Sequence, residues 1–437
     1  MLFCRLRRLI LFPILLGLLA ASSQAQNRPA RPDSTIIESI LFVGNDGTKE
    51  YILAREMQLR EGDPYDPEIA EQDRLRILNL KLFHRVEFDL LPGETGVILL
   101  VLVAEKWYLF PYPIVFIHDR DWSKLSYGAG IIYENMRGRN ITFSGNGYLG
   151  YNPAFSLTYR DPWVQGTRRI AFSVSAYHKR VRNQSLLCRD FDEKHMGLAL
   201  SAGRRLGYYG LAEIGVEYRQ VDVAAEQGVS LSQNGIDHLP AVALQLRYDH
   251  RDYYVLPMRG WYFAGYLQAV YNGATANYQL AGSEIRRYQP LGGGISLALR
   301  ARADGSRGKV PLYNHLYIGY SERVRGQFRT IVEGTRRALA STEVRIPLVK
   351  TRYVSIEQDE KPWASYLRDL PVGCHLSLFY DTGIARFHDQ SWAGVHWLSG
   401  FGIGLNVQLP YAEMIRFERA WNSSGRGEYI VDLKVWF

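Results

Sequence analysis

From Trp107 onward the chain alternates apolar and polar residues in short runs separated by Gly, Asn, Asp and Pro, and helical periodicity largely disappears. In AVALQLRYDHRD, Val242, Leu244, Leu246 and Tyr248 share one face, and Ala243, Gln245 and Arg247 share the other. In GLAEIGVEYRQ, Ala212, Ile214, Val216 and Tyr218 alternate with Glu213, Gly215, Glu217 and Arg219. Successive side chains of a strand point to opposite faces, so a period of two predicts a sheet with an apolar medium on one side and water on the other. The final stretch, EYIVDLKVWF, puts Tyr429, Val431, Leu433, Val435 and Phe437 on one face and Asp432 and Lys434 on the other. An apolar edge of this kind left open in a soluble protein would invite aggregation. The pattern therefore favours a transmembrane β-barrel over a soluble sandwich. About 330 residues at roughly 20 per strand and connection predict about sixteen antiparallel strands.

Residues 35–106 carry a different pattern. TIIESILFVGN alternates and ends in a turn, which reads as a strand. TKEYILAREMQLREGD reads as a helix with Thr48 as N-cap, Ile52, Leu53, Met57 and Leu59 as its apolar positions, and Gly62 as its stop. DPEIAEQDRLRILNLKLF reads as a second helix, with Asp66 as cap, Pro67 at the first helical position and Ile69, Leu75, Leu78 and Leu82 at helical spacing. HRVEFDLLPGETGVILLVLVAE gives two strands around a Pro-Gly turn. The order predicted is β-α-α-β-β, a small α+β domain ahead of the mainly β barrel over 107–437.

Upstream, Arg5, Arg7 and Arg8, the apolar run LILFPILLGLLA and the small residues of SSQAQ predict a signal peptide over 1–25, cut after Ala25. Residues 26–34 then read as a polar, Pro-rich tether. Composition agrees with a barrel: 29 Tyr, 40 Gly and 13% aromatic residues accompany a mean hydropathy of −0.19, too low for several helical membrane spans. The net charge of +8 includes the leader, and no basic run is interleaved with aromatics, which argues against nucleic acid and suits anionic lipid headgroups. Removal of the leader leaves Cys188 and Cys374, free thiols by default with one bridge left open. G-x-S-x-G, H-E-x-x-H and Walker-type motifs are absent, and the histidines are scattered. The expectation is a non-enzyme with no cofactor and no metal.

Seven stretches occur in order: YENMRGRN (133–140), LTYRDPWVQGTRR (157–169), LRYDHRDYYVLPMRGW (246–261), VRG (324–326), ASTEVRIPL (340–348), LFYDTGIARF (378–387) and GFGIGLNVQLP (400–410). In this order they resemble the BamA/TamA outer-membrane assembly and translocation superfamily, also described as bacterial surface antigens. The unit over 35–106, with VGN after its first strand and LFHRVEFDL entering its second, resembles a POTRA domain. The resemblance implies an insertase or translocase in the bacterial outer membrane, its POTRA domain in the periplasm. Implied partners are outer-membrane lipids, unfolded or nascent outer-membrane or surface polypeptides, and periplasmic or lipoprotein helpers. It also implies a lumen tether in which Arg325 and Gly326, at the tip of the sixth extracellular loop, meet Glu343 and Asp381 on the wall, the latter in the YDTG that ends at Gly383. A guanidinium has five donors in a rigid fork and can serve two carboxylates. The sequence departs from the family in placing Gln327 after Gly326, with the aromatic one later at Phe328.

By the same resemblance, the POTRA edge Arg85, Val86, Glu87, Phe88, Asp89 and Leu90 would add a client strand. Tyr429, Val431, Leu433, Val435 and Phe437 would face the first barrel strand, near Trp107 to Ile117, across a lateral seam. A passive channel or surface receptor is the alternative from another class. Within the family, two-partner secretion transporters usually carry two POTRA domains. The stretch SIEQDEKPWASYLRDLPVG (355–373) is long for a periplasmic connection, and Trp363, Tyr366, Leu367 and Leu370 form an apolar face expected to pack on the barrel rim or dock a partner.

Overall fold

The computed structural model describes residues 35–433 apart from 119–120, 184, 189–190, 224–228, 274, 320–321, 329, 357–365, 392–394 and 412. The expected leader and tether, Trp363, Val435 and Phe437 lie outside the described residues.

The N-terminal unit runs β1 (Ile37–Val43), α1 (Glu50–Ala54), α2 (Pro67–Leu78), β2 (Phe83–Pro92) and β3 (Val97–Glu105). Its sheet has the order β1-β3-β2, so β1 and β2 are both edges; β1 is parallel to β3 and β2 antiparallel to it. The Asp66 carboxylate accepts the amides of Glu68 and Ile69, and Pro67 opens α2, as the sequence predicts. The first helix is shorter than its periodicity suggests. Asp73 of α2 accepts the backbone N–H of Gln58 and of Leu59, each at 2.9 Å, and draws the chain out of the helix after Ala54. Thr48 does not cap α1; Lys49 holds that position, and the Thr48 amide instead donates to Glu105 at 2.7 Å. Ile52, Leu53, Met57 and Leu59 are all buried nonetheless, packed with Ile37, Ile77, Phe83 and Leu99. Hydrophobic positions were preserved while the backbone left the helix.

Among the described residues, the rest of the chain forms one separate two-stranded pair and an antiparallel sheet of sixteen strands. Its first strands are β4 (Leu109–Ile117), β5 (Leu125–Met136), β6 (Ile141–Gly150), β7 (Ala154–Asp161) and β8 (Ile170–Arg182). Next come β9 (Asp192–Leu206), β10 (Gly210–Asp222), β11 (Ile236–Arg251), β12 (Gly260–Asn272), β13 (Ala276–Gly292) and β14 (Ile295–Gly308). Two short strands, β15 (Leu316–Ile318) and β16 (Val332–Gly334), pair with each other inside the connection 309–335. The sheet resumes with β17 (Arg336–Val354), β18 (Leu370–Arg386), β19 (Leu398–Leu409), β20 (Glu413–Asn422) and β21 (Gly427–Leu433). Each strand pairs with the next in the chain, β14 pairs with β17, and β4 and β21 end the ladder order.

The alternation read from the sequence has a direct physical consequence. Ile214, Val216 and Val242 are each more than half exposed on the outside of the wall. On the inside, Asp237, Ser296, Glu343 and Asp381 are buried to 1% exposure or less. An apolar exterior around a polar interior is what a strand wall between lipid and lumen requires. No helix among the described residues is long and apolar enough to cross a membrane.

Candidate functional site

The loop between β14 and β17 turns into the barrel and carries Arg325 to full burial. Its guanidinium is bidentate on Asp381 of β18, with Nε 2.7 Å from Oδ2 and Nη2 2.9 Å from Oδ1. Nη1 donates to Glu343 of β17 at 3.1 Å and to Glu418 of β20 at 2.8 Å. The Arg325 amide donates to Asp381 as well, at 3.2 Å, and Cζ lies 3.6 Å from the centre of the Phe379 ring. Three acids thus surround one cation in a space closed to water. Glu343 and Asp381, which the sequence had paired with Arg325, both reach it. Glu418 was missed, because IRFERA carries no motif and an Arg two residues from a Glu reads as any lumen-facing strand.

Close approach of backbones seats the loop. Gly326 adopts φ +92°, and a Cβ there would lie 2.6 Å from the Trp421 carbonyl oxygen. A Cβ on Gly400 would fall 1.9 Å from the carbonyl oxygen of Arg325. Gly383 is less crowded: a Cβ would come 3.0 Å from Ile318 and 3.1 Å from Val324, both on the loop. Gln327, where the family pattern places an aromatic, donates its side-chain amide to the Ser399 carbonyl at 2.9 Å.

Further charges extend the network. Arg345 donates to Glu343 and Arg416 to Glu418, both at 2.8 Å. Arg416 continues to Asp432 of β21 at 3.0 Å, and Arg323 of the loop reaches the same carboxylate. The Gly326 amide donates to Glu428, also on β21. On the other side of the loop tip, Glu322 binds Arg300 at 2.9 Å and Arg302 at 2.8 Å, both on β14. One short stretch of loop therefore offers an anion to β14 and cations to β17, β18, β20 and β21.

The N-terminal unit is docked across one end of the barrel. Glu56 pairs with Arg205 at 2.6 Å, and the Tyr208 hydroxyl donates to the Met57 carbonyl at 2.9 Å, both beside the β9–β10 turn. Asn79 bonds Asp252 and Tyr254 after β11, each at 2.8 Å. Lys49 donates its amide to Gly138 at 3.0 Å, and Lys81 pairs with Glu413 at 2.8 Å. His84 is buried edge-on against Tyr411 of the β19–β20 turn, 4.7 Å between ring centres. Burial and then Lys106 push its imidazole down to about 4, against a weaker pull from Asp369.

The edge residues fall into two groups. Arg85 binds Asp369 of the β17–β18 connection at 2.8 Å and Glu87 on its own strand, and the Val86 carbonyl accepts from Arg74 of α2 at 3.2 Å. Phe88 packs on the domain core, while Asp89 and Leu90 are exposed. The half of β2 nearest the barrel is therefore engaged and the far half open. Tyr429, Val431 and Leu433 on β21 are each at least 66% exposed on the outside of the wall. In the 355–373 stretch, Tyr366 meets Trp107 edge-on at 5.1 Å and its carbonyl accepts from Tyr411 at 2.6 Å, while Leu370 is buried at the start of β18. Cys188 and Cys374 are both unpaired. Among the described residues, no group of three or more His, Cys, Asp or Glu side chains is arranged to hold a metal ion.

Comparison with known proteins agrees with this geometry. A family profile described as Omp85 superfamily domain matches residues 135–429, and one described as POTRA, surface antigen variable number repeat, matches residues 35–106. Among solved structures, the chain is similar to BamA from Haemophilus ducreyi lacking POTRA domains 1–3, at 16% identity and a TM-score of 0.53, over 91% of this chain and 83% of that one. It is also similar to CdiB from Escherichia coli, at 13% identity and a TM-score of 0.59, over 92% and 74% of the two chains. CdiB from Acinetobacter baumannii matches at 12% identity and a TM-score of 0.52, over 91% and 73%. At these identities the likeness concerns the fold.

Proposed function

The chain belongs to the Omp85 superfamily, and on that footing we propose that it inserts or translocates other polypeptides at the outer membrane, with its POTRA domain on the periplasmic side. Clients are captured as an added strand on the open half of β2, from Phe88 outward, where backbone groups can pair without a side-chain code. They leave the barrel laterally, between β4 and β21. The observation that carries the reading is the grip of the inward loop on β21, through Arg323 to Asp432 and Gly326 to Glu428. A passive pore gains nothing from a loop that turns into its lumen and ties itself to β21. For a protein that must hold and release a seam, such a tie is a control element. The Arg325 cluster is then the fulcrum, since it fixes the loop to β17, β18 and β20 in the same few residues.

The test is co-reconstitution of the full chain in phospholipid vesicles with a urea-unfolded outer-membrane barrel as client. Acquisition of protease-resistant client should depend on the protein and fall at least tenfold in Arg325→Ala. Equal client folding in empty vesicles, together with solute-dependent vesicle swelling on adding the protein, would favour the passive channel.

A further inference from the structure

A second polar space opens in the lumen on strands β7 and β10 to β14, a cavity of about 370 Å³. Its charged lining falls into two sets. Glu284, Arg302 and Asp304 are paired within the wall: Arg286 and Arg300 lie 2.6 and 2.8 Å from Glu284, and Arg302 and Arg337 lie 2.9 and 2.7 Å from Asp304. Arg160 of β7, Arg247 of β11 and Glu213 of β10 line the same space, and among the described residues none of these three side chains makes a hydrogen bond or a close salt bridge, although Glu213 lies near enough to attract Arg160. Both arginines are exposed to it.

Two facts say what such a site would hold. First, the neighbouring arginines already bind a carboxylate brought from outside the wall, since Glu322 of the loop lies 2.9 and 2.8 Å from Arg300 and Arg302. Second, two guanidiniums and one carboxylate sum to a single positive charge. That matches one carboxylate, whereas a phosphate dianion would leave a surplus negative charge facing Glu213. Guanidinium forks also suit the planar carboxylate, which they bind through parallel hydrogen bonds. Position adds a third point. Arg160 and Arg247 stand near the ends of β7 and β11, at the side of the barrel where Glu56 and Asn79 dock on the turns after β9 and β11. A segment coming from the POTRA side would meet these arginines before the Arg325 cluster.

We propose that Arg160 and Arg247 form a binding site for an Asp or Glu side chain of a polypeptide segment in the lumen. The proposal rests on the client-handling function above and adds a preference to it: acidic segments are held here, against a wall from which Glu322 of the loop would otherwise be the acidic occupant nearest at hand.

The experiment uses the detergent-purified full chain and two fluorescent, unstructured decapeptides that differ by one Glu replaced by Gln. Binding is read by anisotropy, with acetate and inorganic phosphate as competitors. The parent protein should bind the Glu peptide at least tenfold more tightly than the Gln peptide. Arg160→Gln/Arg247→Gln should abolish that preference while keeping the heat-modifiable folded band, because neither arginine holds the wall together. Glu213→Gln, which leaves both arginines in place, should strengthen it. Equal binding of the two peptides by the parent, or a preference that survives in the double variant, overturns the site. Phosphate competing as well as acetate overturns its carboxylate assignment. A parent that prefers the Glu peptide yet gives no client folding in vesicles leaves the site standing and overturns the insertase reading; client folding without peptide preference does the reverse.

Discussion

Nη1 of Arg325 lies 2.8 Å from Glu418 and 3.1 Å from Glu343, carboxylates on β20 and β17, three places apart in the sheet. A single nitrogen thus bridges two strands that backbone ladders join only through β18 and β19. Removing Arg325 strips buried Asp381 of its bidentate partner and leaves Glu343 and Glu418 to Arg345 and Arg416 alone. Arg325→Ala should cost about 3 to 5 kcal/mol, the usual loss when one partner of a dry ion pair is deleted. Arg325→Lys keeps the charge but loses the fork, and should recover only part of it. Urea titration of the heat-modifiable band measures both; a loss below about 1 kcal/mol for Ala, the level of an exposed pair, would mean that the cluster is wet.

Gly400→Ala tests the same seat without touching any charge. The new Cβ would fall 1.9 Å from the carbonyl oxygen of Arg325, so loop or strand must move. The variant should reproduce the Arg325→Ala defect in client folding, and the two together should be no worse than either. Additive losses would show that the two positions act independently.

The pair Arg323–Asp432 is about a quarter to a third exposed on both sides, which limits its worth to ~0.2–1 kcal/mol. A double-mutant cycle with Arg323→Ser and Asp432→Asn should find a coupling of that size in urea stability and a larger, at least tenfold, shared effect on client folding. Arg416, which also binds Asp432, should keep the single Arg323 variant folded. A cycle with no shared effect on client folding would detach the loop from control of the seam.

Acid should loosen the POTRA domain from the barrel. His84 stays neutral in the docked state down to about 4, below the ordinary 6.5, so the undocked or unfolded form binds more protons between those two values. Docking is then fully present above about pH 7, weakens as pH falls from about 6.5 toward 4, and loses at most roughly 3 kcal/mol over the window. Hydrogen exchange of β2 amides at pH 7.5 and 5.5 reads this. His84→Gln should flatten the profile, and an unchanged slope in that variant would assign the effect to another group.

How far these features could be read from the chain depends on the range over which each is encoded. The sixteen strands follow from a period-two pattern that every strand repeats locally. Arg325, Glu343 and Asp381 stand in ordered motifs, and the structure places them within hydrogen-bonding distance. Glu418 and the Arg323–Asp432 pair carry no such marker, since their meaning depends on where a loop tip lands across the lumen. The first helix was overestimated because periodicity marks which residues are buried, and Asp73 decides from a distance where the helix stops. Docking of the N-terminal unit on the turns was also invisible, as each contact joins it to residues of a remote connection, such as Glu56 to Arg205 and Lys81 to Glu413.

If this barrel handles other polypeptides and is not a pore, depletion of the protein followed by comparison of outer-membrane proteomes should show loss of a defined set of barrel or surface proteins with small-solute permeability unchanged. An unchanged proteome with altered permeability would contradict it.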